Sequence, residues 1–144
     1  AAARFYRMGT SAEAQGDYAG ALRDLSLATT INPAASKAYY RAAYIYWREL
    51  EDQDRAAEMI RQGLAVDPKP SVERDLYAGL LCYYEQNLNC AVASWASAVN
   101  EKATLDPDAD SRPLAVEMLV RMQREQEQFN LGQLARLTRK TVAR

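Results

Sequence analysis

Acid–base and metal chemistry at neutral pH most often runs through histidine, and this chain has none in 144 residues. The commonest general base and the commonest neutral metal ligand are therefore missing. Two cysteines, Cys82 and Cys90, stand eight residues apart. That spacing matches no metal-ligand motif, and without a histidine the pair makes no activated nucleophile. Both read as reduced core thiols that pack as small hydrophobes, which leans toward a reducing compartment such as the cytoplasm. Asp52 and Asp54 fall in a polar stretch that reads as an exposed turn. Paired carboxylates catalyse only where burial raises one pKa, and a turn does not bury. Gly16 and Gly20 bracket a helix turn with no strand before them, so they form no phosphate-cradling loop. The residues that could do chemistry point away from an enzyme, a metal centre or a bound cofactor.

The rest of the composition is that of an ordinary globular domain: 49% apolar, 26% charged and a formal net charge of -1. The overall balance favours neither nucleic acid nor a membrane surface. Its distribution is less even. From residue 129 onward the chain carries Arg136, Arg139, Lys140 and Arg144 and no acid. That end reads either as a solvated helix terminus, where cations suit the dipole, or as a contact for an acidic partner or RNA. No window has 18 uninterrupted apolar residues, so no membrane-spanning helix is expected. The start, Ala1-Ala2-Ala3-Arg4, lacks an initiator Met and does not look like a signal peptide, and the chain reads as a processed or trimmed piece.

The elements that must position any site come from an internal repeat. Residues 5–33, 39–68 and 75–103 line up so that small residues recur at three places in each. They are Gly9, Ala21 and Ala28; Ala43, Ala56 and Gly63; and Gly79, Ala91 and Ala98. The last two of each trio recur every 35 residues. Two antiparallel helices approach closely only where side chains are small, so these positions are predicted crossing points. Larger apolar residues share their helix face: Leu22 and Leu25, Ile60 and Leu64, then Val92, Trp95 and Val99. Polar turns divide each repeat: Gln15-Gly16-Asp17, Glu51-Asp52-Gln53-Asp54 and Gln86-Asn87-Leu88-Asn89. Each repeat is thus predicted to be a helical hairpin, the second with one extra residue in its turn.

Met8-Gly9, Gly16-Asp17-Tyr18, Ala21-Leu22, Ala28 and Asn32-Pro33 resemble the tetratricopeptide repeat pattern almost position by position, and the second repeat is similar. The third departs from it: Asp75 stands where an aromatic is usual and Ala103 where Pro is usual, with Leu105-Asp106-Pro107 following. The resemblance covers about residues 2–103. It implies an all-α, right-handed α-α superhelix of about three hairpins in one domain over residues 1–144. The repeats would fall at about 2–35, 36–70 and 71–103, with a polar loop at 104–112 and C-terminal helices at 113–128 and 131–142. Pro113 suits a first helical turn, and Leu114, Met118 and Met122 recur every four residues. Asn130-Leu131-Gly132 reads as a break, after which Leu131, Leu134 and Leu137 give a second short stripe. The two C-terminal helices fit a cap, a degenerate fourth repeat, or a helix that docks on a neighbouring protein.

In this family the first helix of each hairpin lines the inside of the curve. Carried over residue by residue, the resemblance puts Tyr6, Thr10 and Glu13 there, then Lys37, Tyr40, Tyr44, Trp47 and Arg48, then Glu73, Leu76, Leu80, Tyr83 and Tyr84. The candidate partner-binding set is Tyr6, Thr10, Tyr40, Tyr44, Trp47, Leu76, Leu80 and Tyr83. Tyr40–Tyr44–Trp47 and Leu76–Leu80–Tyr83 form helical stripes of the kind interfaces favour. The competing readings are that these side chains fill the core or that residues 113–144 lie over them. Some family members clamp a chaperone's carboxylate end with Lys and Asn. Here the matching positions hold Tyr6, Thr10 and Tyr44, which lack those donors, so an amphipathic helix or a bulky extended segment suits the groove better.

Three function classes follow. The first is a non-catalytic protein–protein interaction scaffold, an adaptor or structural subunit of a larger assembly. The second is an assembly factor or pilotin-like protein of a secretion or pilus system. The third is an RNA-associated helical-repeat protein using the basic C-terminal tail, although nucleic acid is disfavoured by the charge of the inner positions. A homo-oligomer stays open, because an Ala-rich first helix could pair with a second copy.

Overall fold

The computed structural model describes residues 1–100 and 111–142, with side chains to residue 139. Among them seven α-helices follow in order: α1 (Ala2–Ala14), α2 (Tyr18–Ile31), α3 (Ser36–Tyr44), α4 (Gln53–Val66), α5 (Val72–Tyr84), α6 (Leu88–Asn100) and α7 (Ser111–Val142). The fold is all-α, and no strand occurs among the described residues. Three antiparallel pairs, α1/α2, α3/α4 and α5/α6, stack in sequence, and α7 packs on α5 and α6. The expected end of the third repeat and the polar loop up to residue 110 lie outside the described residues.

The small-residue pattern is where the hairpins close. All nine predicted crossing residues are buried. Not all of them admit a neighbouring backbone, however. A Cβ on Gly63 would lie 2.7 Å from Tyr40 Cε1, and one on Gly79 would lie 2.4 Å from Trp95 Nε1. These two positions make room for aromatic rings. Leu25, Ile60 and Trp95 are buried along the second helices, Leu22, Leu64 and Val99 are half-buried, and Val92 is exposed.

The turns repeat with the same period. Asp17, Asp52 and Asn87 each cap the following helix, their side-chain oxygens accepting from Gly20 N at 2.9 Å, Arg55 N at 3.1 Å and Cys90 N at 3.2 Å. Such caps satisfy amides that a helix start leaves unpaired. The amides of Asp17 and Asn87 also reach back five residues to Ala12 O and Cys82 O, at 2.9 Å each. The amide of Asp52 reaches back six, to Tyr46 O at 2.8 Å. The extra residue of the second repeat is therefore not in the turn. It is taken up at the end of α3, which widens into a π-helical turn over Ile45–Glu49. A one-residue insertion is accommodated this way without breaking the helix.

Just before each cap the chain enters the left-handed region, with φ of 79° at Gly16, 50° at Glu51 and 61° at Gln86. Only the first is glycine, and a side chain there costs about 1–2 kcal/mol. Replacing Glu51 or Gln86 by Gly removes that strain but loosens the unfolded chain, so a net gain of about 0.5 kcal/mol is expected. Gly16→Ala should lose about 1 kcal/mol. Urea denaturation monitored by circular dichroism measures all three, and a loss in both Gly variants would show that the turns are unstrained.

Two apolar clusters run through the stack. Ala21, Leu25, Ala28, Ala38, Ala42 and Ile45 join the first hairpin to the second. The larger cluster runs from Tyr40 and Ile60 through Leu76, Leu80 and Trp95 to Ala115 and Met118 of α7. Met118 is fully covered, which is worth roughly 1.5–3 kcal/mol to the docking of α7. The predicted break at residues 130–132 is absent: α7 is one helix of 32 residues. A Cβ on Gly132 would meet nothing within 4 Å. Without proline, one helical glycine costs only about 1 kcal/mol and does not force a stop. The fourth-hairpin reading falls with the break.

Candidate protein-binding groove

α1, α3, α5 and α7 share one side of the stack, and side chains tie them together across it. Arg41 of α3 makes a two-pronged ion pair with Glu13 of α1, Nε to Oε1 at 2.5 Å and Nη2 to Oε2 at 2.5 Å. Burial works against the Arg41 charge, but the Glu13 carboxylate outweighs it and holds the guanidinium above its usual pKa. The same guanidinium lies 4.4 Å from the ring centre of Tyr44. Tyr44 meets Trp47 edge-on, with centroids 6.2 Å apart at 87°. Arg48 sits 5.2 Å over the Trp47 ring and pairs with Glu117 of α7. Glu117 is also the main reason the Arg48 pKa is raised. A ladder of alternating charge and aromatic rings thus crosses the inner face from the first hairpin to the last helix.

Between α3, α5 and α7 this face opens into a cavity of about 500 Å³. Trp47 and Arg48 line one wall, Tyr83 and Tyr84 another, and Glu117, Met118 and Arg121 the third. Burial pushes the Tyr84 hydroxyl up to about 12, with Tyr83 adding to the shift. Burial and the Glu125 carboxylate, 3.4 Å from its hydroxyl, also raise Tyr83. Both phenols stay protonated at neutral pH, and the Tyr83 O–H donates to Glu125 Oε1. Among the described residues no group of three or more His, Cys, Asp or Glu comes together for a metal. No helix among them is long and apolar enough to cross a membrane.

The expected site residues divide in two. Tyr44, Trp47 and Tyr83 stand half-buried along the inner face, and Tyr6 and Thr10 continue it on α1. Thr10 turns its hydroxyl back to Arg7 O at 3.0 Å. Tyr40, Leu76 and Leu80 are corrections. They are 1%, 0% and 0% exposed and belong to the core beneath the groove. The Tyr40 ring stacks on Tyr77 at 4.9 Å, and its hydroxyl donates to Asp67 Oδ2 at 3.0 Å. The physical reason is that α3 packs on α4 while its Tyr40 ring also meets Tyr77 of α5 in the next pair. α7 plays that part for the third hairpin, so it buries Leu80 and forms a wall of the groove without lying along it.

Sequence reasoning missed Arg41 and Glu117. Arg41 had a legible signal, since it lies three residues before Tyr44 on the same helix face. Glu117 had none, because helical periodicity does not say where α7 docks. Of the basic tail, Arg136 and Arg139 are exposed on α7, while the Lys140 side chain and Arg144 lie outside the described residues. The cysteines differ most from expectation. Cys82 and Cys90 are joined in a disulfide, with Cα atoms 5.7 Å apart.

Residues 36–70, which span α3, the π-helical turn and α4, match the family model for the tetratricopeptide repeat. No curated protein matches the chain. Residues 36–70 are thus similar to a tetratricopeptide repeat within an all-α helical-repeat fold, and such a repeat suggests a protein–protein interaction module; the family is generally non-catalytic.

Proposed function

We propose that the protein is a non-catalytic adaptor or structural subunit that holds a segment of another polypeptide in the groove between α3, α5 and α7. The observation that carries this reading is the open cavity walled by Trp47, Arg48, Tyr83 and Tyr84, where aromatic faces lie beside charged groups. Aromatic and arginine side chains in a concave site are the usual anchors of protein contacts. Arg41, Arg48 and Arg121 are set beside Glu13 and Glu117, so the groove has no strong net sign. A mixed, amphipathic segment fits it better than a polyanion. Tyr44, Trp47 and Tyr83 supply the contact area, and Tyr6 and Thr10 extend the surface toward the first hairpin.

The test is to pan a random peptide library against the chain and measure the Kd of the selected peptides. Trp47→Ala and Tyr83→Ala should each weaken binding about tenfold or more, a loss of at least ~1.4 kcal/mol. Both side chains are partly exposed, so the helical content of the variants should be unchanged. Peptides that bind both variants as tightly as the parent would remove the groove from the proposal.

A second reading, an assembly factor of a secretion or pilus system, gains support from the Cys82–Cys90 bond. Disulfides persist in oxidising compartments and are rare where thiols are kept reduced. Trapping the thiols by alkylation in living cells tests it: free thiols throughout would count against that reading.

A further inference from the structure

α7 has a second face that the groove does not use. Ala115, Met118 and Met122 turn toward the body of the stack. On the far side, Val116, Val120, Glu127, Leu131, Leu134 and Thr138 fall within about 60° of one another round the helix, centred about 150° from the body-facing side chains. Val116 is 43% exposed, Val120 41%, Leu131 66% and Leu134 60%. Arg124 and Glu127 lie between these two apolar blocks and are exposed. Glu127 accepts a bond from Gln123 of its own helix at 3.3 Å.

We propose that two copies of this chain pair through antiparallel α7 helices, with the two-fold axis passing between Glu125 and Gln126. The sequence of this face is complementary to itself in that register. Val120 falls opposite Leu131 of a second copy, and Val116 falls beside its Leu134. Arg124 falls opposite Glu127, and two-fold symmetry makes every pair occur twice. A parallel arrangement would set Arg124 against Arg124 and Glu127 against Glu127, so the charges select the antiparallel one. The apolar blocks at the two ends of the strip become covered, and the polar centre becomes two ion pairs. The contact over residues 116–135 of each copy runs for about 30 Å of helix, and on the order of 1,000 Å² over both copies is about the least that a specific interface buries. Of the groove residues on α7, Glu117 falls nearest, about 70° round the helix from the centre of the strip and beside Arg124, and the pairing is tested with no groove ligand present.

Sedimentation velocity of the whole chain between about 1 and 100 μM decides the point, the expectation being a species of twice 16.1 kDa. Leu134→Asp should weaken the dimer at least tenfold, with helical content unchanged. Arg124→Glu should weaken it as well, and adding Glu127→Arg should restore it, because the pairs are then reversed. Chains carrying Val120→Cys mixed with chains carrying Leu131→Cys should cross-link to each other, whereas either alone should not. A chain that stays monomeric at 100 μM overturns the proposal, as does a dimer indifferent to Leu134→Asp and to the charge reversal. Cross-linking of Val120→Cys to itself overturns the register. A monomer that co-sediments with anionic vesicles through this face would assign the stripe to a lipid surface and overturn the pairing.

Discussion

Trp95→Ala is expected to cost about 3–5 kcal/mol, a large share of the 5–15 kcal/mol that holds a domain of this size together. The indole is fully buried, and its Nε1–H donates to Leu76 O of α5 at 3.0 Å. It is the largest side chain in the cluster that joins the second hairpin, the third hairpin and α7. The ring fits because residue 79 has no side chain. Gly79→Ala alone should therefore lose about 1–3 kcal/mol through overpacking, less about 1 kcal/mol gained from helix propensity. The two effects are one contact, so they should not add. In a Trp95→Leu background the pressure on residue 79 disappears, and Gly79→Ala should become neutral or stabilising. Urea denaturation followed at 222 nm gives the four corners of that cycle. Additive losses would mean that glycine at residue 79 answers to something other than the ring.

The three hairpins are legible in the amino-acid sequence. Small residues are demanded where two helices cross closely or where one must seat a ring of its partner, and nine of them in register mark the hairpins. Contacts between hairpins are not legible in the same way. Helical periodicity says which face of α3 meets α4, but it does not say that Tyr40 also meets Tyr77 of the next pair. Tyr40, Leu76 and Leu80 therefore read as inner-surface residues, although the stacking covers them. The extra residue in the second repeat is visible, but its place is not, since a turn and a π-helical turn absorb it equally well in sequence. Gly132 reads as a stop because glycine is a poor helix former. The cost of one glycine is smaller than the gain from continuing the hydrogen-bond ladder. The groove is half legible: its aromatics follow from the register, whereas Glu117 reaches it only through the docking of α7.

Reduction of the Cys82–Cys90 bond should lower stability by about 2–3 kcal/mol, the chain-entropy value for a closed loop of about nine residues. The bond ties the last turn of α5 to the first turn of α6, across the tightest part of the third hairpin. An eight-residue spacing is no disulfide signature by itself, yet it suits a helical hairpin. Cys82 precedes the turn and Cys90 follows it, so reversal of the chain brings their Cα atoms within bonding range. Because stacked repeats share stability mainly with their neighbours, the loss should be felt locally. Amide exchange in α5, α6 and α7 should quicken on reduction or in a Cys82→Ala/Cys90→Ala variant, while α1 and α2 should change little. α7 carries Glu117 and Arg121 into the groove, so peptide binding should weaken together with that exchange. Uniform quickening over all helices would instead make the chain a single cooperative unit. Unchanged exchange everywhere would mean that helix packing alone holds the third hairpin, leaving the bond no part in shaping the groove.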